Sequence, residues 1–204
     1  EVNAPVEVNV EDLAYEGKNL EKLVPFYKEM DFKQFLAKLD ITEEPVEMED
    51  ILFEVVEDQL TNEMFTDDMA LYVEMMEDNY HTSPIVGLAW GNNKKIYTTN
   101  NLAVFESQPF IDWLMDETRK KNVYDAKRTY VALNRYVGKM TGIAFDVLLA
   151  AYLLDTNDNN ADIEGVAQHY GYDAIQSDEA IYGKGAKKGL PEDEEVFFGH
   201  LARK

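Results

Sequence analysis

The sequence predicts an α/β fold in which helices flank a mixed central sheet. Three strand-like stretches come first along the chain, and helices then alternate with two further strands. The central strand is predicted at residues 69–76, because its side chains alternate between an apolar face and a mixed face. The apolar face carries Met69, Leu71, Val73 and Met75, and the mixed face carries Ala70, Tyr72, Glu74 and Met76.

The other elements follow from hydrophobic period and from capping residues. Further strands are predicted at residues 51–56, 85–90, 95–98, 122–124 and 142–145. Helices are predicted at residues 20–30, 61–65, 107–115, 126–137, 147–154, 162–170, 177–181 and 191–204. The predicted caps are Asn19, Thr61, Ser107 and Asp146, while Pro25 is expected to kink or shift the first helix and Pro191 to open the last.

An acidic stretch at residues 40–50 contains Pro45 and predicts a linker. We place the domain boundary there, with residues 1–45 as a tail and linker and residues 46–204 as the main domain. Valines alternate around Pro5 and predict an extended segment at residues 1–10. The chain also lacks an initiator Met, which predicts that it is a segment of a longer polypeptide.

The charge of the chain argues against a nucleic-acid-binding module. The net charge is −21, with 40 acids against 19 bases, whereas affinity for nucleic acid depends on basic groups that neutralise phosphates. Fifteen acids and no base lie between Lys38 and Lys94. This stretch, residues 40–78, is either a solvated face or an acidic docking face for a protein partner.

Several site classes and locations are excluded or disfavoured by the sequence. Cysteine is absent, so thiolate chemistry and disulfides are excluded, which fits a cytoplasmic protein. No stretch approaches the roughly 18 to 20 apolar residues of a membrane span, and no signal peptide is recognisable. The Asp- and Asn-rich loop at residues 155–160 lacks the glycine and glutamate of an EF-hand, and the glycines at 183–189 lack the spacing of a P-loop.

Five strings match a known family in order and spacing: residues 73–81, 84–87, 124–128, 142–154 and 177–185. Together they resemble the 3′–5′ proofreading exonuclease region of bacterial DNA polymerase I of the Gram-positive type. The resemblance covers residues 46–204, while residues 1–40 resemble the end of the preceding 5′ nuclease domain. It implies a ribonuclease-H-like (DnaQ-like exonuclease) fold in an enzyme of DNA replication and repair. It also implies a monomer whose polymerase domain follows Lys204.

Active members of this family bind two divalent ions with four carboxylates and hydrolyse phosphodiesters. Their ligands lie in an Asp-x-Glu pair, an Asn-x-x-x-Asp motif and a Tyr-x-x-x-Asp motif. The resemblance places Tyr72 and Glu74 at the first motif, Thr129 at the end of the second, and His200 and Lys204 at the ends of the third. Three of the four carboxylates are therefore replaced. We expect no catalytic residue, no cofactor and no metal here, with magnesium confined to active relatives.

Each replacement also has a structural interpretation. Tyr72 is predicted to fill the former metal pocket with its ring, and Glu74 to pair with Lys204. Asp146 is predicted to be a helix cap, and His81 and His200 to lie at the surface or the edge of the core.

Three functions remain open at this point. The first is an inactive domain that supports the polymerase domain and binds DNA weakly or not at all. The alternatives are an active metal-dependent exonuclease with altered ligands, or an acidic docking module that recruits replication or repair proteins through residues 40–78.

Overall fold

The structure is a computed structural model that describes residues 17–30, 50–157 and 160–204, and the single positions 14, 32, 35, 36, 38 and 39. The chain divides into two compact units, Glu1–Val46 and Glu47–Lys204. The predicted extended segment 1–10 lies outside the described residues, as does the predicted linker except for Asp50. Of the acidic stretch, the part from Asp50 onward is described.

In the first unit, helix α1 spans Leu20–Glu29. Asn19 caps it as predicted, because its Oδ1 accepts a hydrogen bond from the backbone N–H of Lys22 at 3.1 Å. Pro25 lies inside this helix, which begins at the predicted residue.

The second unit is built on a six-stranded sheet with the strand order β1-β4-β3-β2-β5-β6. Strands β2, β3 and β4 form an antiparallel meander, whereas β2 pairs with β5, β5 with β6 and β1 with β4 in parallel. The predicted mixed sheet is thus confirmed. The strands are β1 Glu54–Val55, β2 Met69–Met75, β3 Ile85–Gly91, β4 Ile96–Thr99, β5 Lys121–Val123 and β6 Ile143–Asp146.

Helices cover both faces of this sheet. The α-helices are α2 Gln108–Met115, α3 Ala126–Asn134, α4 Val147–Leu154, α5 Ile163–His169, α6 Asp178–Tyr182 and α7 Glu194–Arg203. Short 3-10 helices span Asn62–Met64, Leu102–Glu106 and Gly185–Lys187. Within the described ranges, no helix is long and apolar enough to cross a membrane.

Three details of the predicted helices are wrong. Thr61 and Ser107 occupy cap positions, but neither side chain makes a capping hydrogen bond. The last helix begins at Glu194 rather than at Pro191, because the Asp193 carboxylate caps it by accepting from the N–H of Glu195. A carboxylate acceptor outweighs the fixed φ of a proline three residues earlier.

The alternation along β2 separates two cores. Its apolar face joins the larger core against α2 and α3, which contains Trp90, Trp113 and Leu133. On the opposite face, Tyr72 and Met76 pack against Phe197 and Leu201 of the C-terminal helix and their neighbours. The two faces of β2 therefore belong to the two layers that the sequence predicted.

Gly87 brings helix α7 close to the sheet. It lies directly opposite Glu74 in the pairing of β3 with β2. A Cβ at this position would come within 2.8 Å of Phe197 Cζ and 3.0 Å of Leu201 Cδ2. Only glycine leaves room for the helix here, so this residue sets the approach of α7 to Glu74.

Asp146 caps two helices at once. Its Oδ1 accepts from the N–H groups of Leu148 (3.0 Å) and Leu149 (3.4 Å) at the start of α4. The same carboxylate accepts from the N–H groups of Asp125 (3.1 Å) and Ala126 (2.8 Å) at the start of α3. The predicted cap is confirmed, and it also joins the ends of β5 and β6.

We expect Asp146→Ala to destabilise the second unit by more than a single lost cap, that is by more than about 2 kcal/mol. The reason is that four backbone donors at two helix ends lose their acceptor together. Urea denaturation measures the change. Asp162→Ala is the matched control, because Asp162 accepts from the Gly165 N–H at the start of α5 alone. Equal losses in the two variants would contradict the double cap.

Lys121 is a buried cation in the larger core layer. Its Nζ donates to the carbonyl of Asp116 at 2.7 Å and lies 5.2 Å from the centroid of the Trp113 ring. Burial lowers the pKa of Lys121 to about 8, against the pull of the Asp116 carboxylate. The folded state thus favours the neutral amine more than the unfolded state does.

The free energy of unfolding should therefore rise with pH from about 8 to about 10.5, because the unfolded chain holds this proton over the whole window and the folded chain does not. Lys121→Met should remove this rise. Denaturant titrations across the window measure it, with Lys120→Met, a change at an exposed neighbouring lysine, as control. If wild type and Lys121→Met had parallel pH profiles, the lowered pKa would be refuted.

Candidate functional site

Glu74 is a buried carboxylate on the central strand, with 1% of its surface exposed. Its strand position directs it toward helices α6 and α7 on the side of the sheet opposite the larger core. Tyr182 of α6 donates its hydroxyl to Glu74 Oε2 at 3.0 Å. Oε1 accepts from the backbone N–H of Met75 at 3.2 Å.

Lys204 provides the countercharge. Its Nζ lies 2.7 Å from Glu74 Oε2 and 2.5 Å from Asp178 Oδ1, and its side chain is fully buried. The predicted pair of Glu74 and Lys204 is present. Although burial alone would lower it, the pKa of the Lys204 ammonium is raised by Tyr72 and by the carboxylates of Glu74 and Asp178.

Asp178, like Tyr182, is a member of this cluster that the sequence did not single out. It is the first residue of α6, and its Oδ1 accepts from both Lys204 and His200 Nε2, the latter at 2.8 Å. Burial would raise its pKa, but the hydrogen bond from His200 and the charge of Lys204 outweigh burial and lower the pKa of Asp178 to about 2. The available signal was its position inside a family-like string, next to the capping Ser177.

Two tyrosine rings surround the ammonium. The centroids of Tyr72 and Tyr182 lie 5.3 and 5.5 Å from Lys204 Nζ, within the range of a cation–π contact. Burial, and next the charge of Glu74, raises the pKa of both phenols, so both stay protonated. Tyr72 also contacts the guanidinium of Arg128, at 5.7 Å.

The structure thus brings together four of the five residues that the sequence singled out. His200 and Lys204 lie on one face of α7 at positions i and i+4, and both reach the cluster around Glu74. His200 is buried rather than at the surface, because Asp178 gives its ring a partner inside the protein, whereas His81 is exposed as predicted. The hydroxyl of Thr129 instead donates to the carbonyl of Tyr124 at 3.3 Å.

A family model described as DNA polymerase I, ribonuclease H-like domain, matches residues 71–204. The chain belongs to this family. The predicted ribonuclease-H-like fold is therefore confirmed.

Curated relatives include the DNA polymerase I of Bacillus caldotenax and of Streptococcus pneumoniae serotype 4. They are 42% and 38% identical to this chain, over 99% and 100% of its length. In each case the match covers 23% of the relative, so the chain spans about a quarter of the length of these DNA polymerases. The predicted resemblance to the Gram-positive type of DNA polymerase I is confirmed.

Two solved structures share the fold at low identity. Brucella melitensis NrnC superposes with a TM-score of 0.57 at 13% identity, over 74% of this chain and 75% of that one. Escherichia coli RNase D superposes with a TM-score of 0.51 at 12% identity, over 74% of this chain and 41% of that one. These likenesses concern the architecture alone.

Three side chains of this cluster could together hold a metal ion, and an ammonium contacts two of them. Ligand atoms of Glu74, Asp178 and His200 lie within 4.8 Å of one another, which is close enough for one ion. The ammonium of Lys204, however, contacts both carboxylates and occupies the cation position between them. A divalent ion there would meet a fixed positive charge and would lose the two carboxylates to an existing partner.

A cleft of about 550 Å³ opens beside this cluster. Tyr72 and Lys204 form part of its wall, together with Asn122, Tyr124 and Tyr172. Its lining includes neither Glu74 nor Asp178, although both residues are described. A ligand in the cleft would therefore meet the tyrosine rings rather than these two carboxylates.

We expect Lys204→Met to destabilise the second unit by about 3–5 kcal/mol, because it leaves two carboxylates without their buried countercharge. Thermal and urea unfolding measure this loss. Lys184→Met removes an exposed pair with Glu179 and should cost at most about 1 kcal/mol. Adding Glu74→Gln to Lys204→Met should recover part of the loss. Indistinguishable Lys204→Met and Lys184→Met proteins would contradict a buried pair.

Proposed function

We propose that this chain is a catalytically silent 3′–5′ exonuclease-like domain that supports the polymerase part of a DNA polymerase I. One observation carries the proposal: the Lys204 ammonium occupies the space between the carboxylates of Glu74 and Asp178. Two-metal hydrolysis needs carboxylates that are free to bind cations. Here they are already neutralised by a side chain of the protein.

The positions around this pair support the same proposal. Tyr72 and Thr129 stand where the resemblance expects carboxylates, and neither can carry the charge that magnesium requires. Thr129 is bonded within its own chain segment, to Tyr124. Tyr72 presents its ring to Lys204 and stays neutral.

The rest of the proposal follows from the family. Residues 1–45 would be the end of a 5′ nuclease domain, residues 46–204 the exonuclease-like domain, and the polymerase domain would follow Lys204. The whole enzyme would act in DNA replication and repair in the cytoplasm, as a monomer. With a net charge of −21, this segment itself would bind DNA weakly or not at all.

A second candidate is an active nuclease with altered ligands, and one observation favours it. Glu74, Asp178 and His200 present three ligand atoms that could hold one ion. For this to work, Lys204 would have to leave its two carboxylates. That movement is opposed by the contacts of the Lys204 side chain, which is buried between two carboxylates and two tyrosine rings.

A cleavage assay separates the two candidates. We expect the purified chain to leave labelled single-stranded DNA intact with magnesium or manganese, because the carboxylates are occupied by Lys204. Glu74→Gln is the control, since any trace of contaminating nuclease would persist in it. Metal-dependent shortening that disappears in Glu74→Gln and in Asp178→Asn would establish the altered-ligand nuclease and overturn this proposal.

Calorimetry with manganese gives the same distinction without a substrate. The wild-type chain is expected to show no manganese binding, whereas Lys204→Met frees Glu74, Asp178 and His200 and should bind one ion weakly. Binding of equal strength in both proteins would mean that Lys204 does not block the site.

A further inference from the structure

The first strand of the sheet is shorter than the sequence predicts. Residues 51–56 form a largely apolar run that predicts a strand, but only Glu54–Val55 pair with β4. Strand β1 is terminal in the sheet order, so among the described strands it has a neighbour on one side alone. Leu52, just before it, leaves 87% of its surface exposed. Edges that avoid partners commonly carry Lys or Pro, whereas residues 51–58 contain neither, so this edge is open to a further strand.

The backbone of Val55 points away from β4, toward this open side. Val55 lies opposite Thr98 in the parallel register, and the next residue, Val56, donates its N–H to the carbonyl of Thr98 at 2.8 Å. Successive residues of a strand point their N–H and C=O groups to opposite sides. Because Val56 faces β4, the N–H and C=O of Val55 face outward. Within the described ranges, neither group has a hydrogen-bond partner.

The side chains around this edge are acidic. Glu54, Glu57 and Asp58 are all exposed, and the sequence contains no Lys or Arg from Asp50 to Asp78. Glu54 forms an ion pair with Lys95 at 2.8 Å. For Glu57 and Asp58, by contrast, the described part of the chain provides no ion pair. A strand added beside Val55 would therefore meet uncompensated negative charge, which favours a partner with basic side chains.

We propose that the open edge of β1 binds an extended, basic segment of a partner protein, which adds a strand beside Val55. Strand addition takes its affinity from main-chain hydrogen bonds and its selectivity from the surrounding side chains. Here Lys or Arg of the segment would meet Glu57 and Asp58, and an apolar side chain would cover Leu52. Strands β4 and β3 separate this edge from the strand of Glu74, so the proposal does not depend on a silent site.

Charge disfavours the other occupants of this edge. Two copies of a chain with a net charge of −21 repel each other, which opposes pairing of β1 with a second β1. A nucleic acid would meet carboxylates rather than the bases that neutralise phosphates. Residues 40–49 of the chain itself contain five acids and no base, so the acids beside β1 would repel them as well.

The binding test uses the purified chain and a fluorescein-labelled peptide in which Lys and Val alternate over about eight residues, an ordinary strand length. Fluorescence anisotropy measures binding, and NMR measures hydrogen exchange at the Val55 amide. We expect the peptide to bind and to slow this exchange by at least ~10-fold, because the added strand accepts a hydrogen bond from the Val55 N–H. A peptide of the same length in which Glu replaces Lys is the control, and it should not bind.

Two sets of variants tie the binding to this edge. Val55→Pro removes the outward N–H and keeps the bonds to β4, so it should weaken peptide binding at least ~10-fold, whereas Val55→Thr should not. Glu57→Gln with Asp58→Asn leaves the backbone unchanged and should weaken binding at least ~3-fold. Its matched control is Glu117→Gln with Asp173→Asn, which makes the same change of charge at exposed positions outside the edge.

Each outcome decides the matter. Binding that protects the Val55 amide, and that Val55→Pro weakens while Val55→Thr keeps it, supports the proposal. Absence of binding by the Lys–Val peptide overturns it. Binding that leaves the Val55 amide unprotected, or that both charge variants weaken equally, is general attraction to an acidic protein and also overturns it. If Val55→Pro fails to fold, the exchange of Val55 and the two charge variants give the same decision.

Discussion

The buried ion pair between Lys204 and the carboxylates of Glu74 and Asp178 is the interaction on which the arrangement of the second unit depends. It joins the central strand to helices α6 and α7, which are more than a hundred residues away in sequence. Buried charges of this kind stabilise a fold only when each has its partner and its remaining hydrogen-bonding groups are satisfied. Here Tyr182 and His200 bond to the same carboxylate oxygens as Lys204, and the other Glu74 oxygen accepts from the Met75 N–H.

The backbone geometry brings the charged side chains of this cluster close together. Gly87, opposite Glu74, lets α7 lie close against β3, and the helical spacing of His200 and Lys204 then carries both side chains to the same cluster. At the β5–β6 edge of the sheet, Asp146 holds the starts of α3 and α4 against the ends of β5 and β6. Packing space and backbone hydrogen bonds thus position the helices on the sheet, and the ion pair then links α6 and α7 to the central strand.

The same fold occurs in Escherichia coli RNase D, an exoribonuclease. Function therefore depends on the side chains of the site rather than on the fold. In this chain an internal ammonium lies between two carboxylates.

Local patterns in the sequence determined the six strands, the alternating faces of β2 and the caps Asn19 and Asp146, because these features depend on residues within a few positions of one another. The partner of Glu74 also followed from the sequence. Only the tertiary structure decided that Asp178 joins the cluster, that Thr129 bonds to Tyr124, and that Leu52 lies exposed beside an open edge of the sheet. These facts depend on contacts between distant segments and on which surfaces remain uncovered, and neither leaves a periodic signal in the chain.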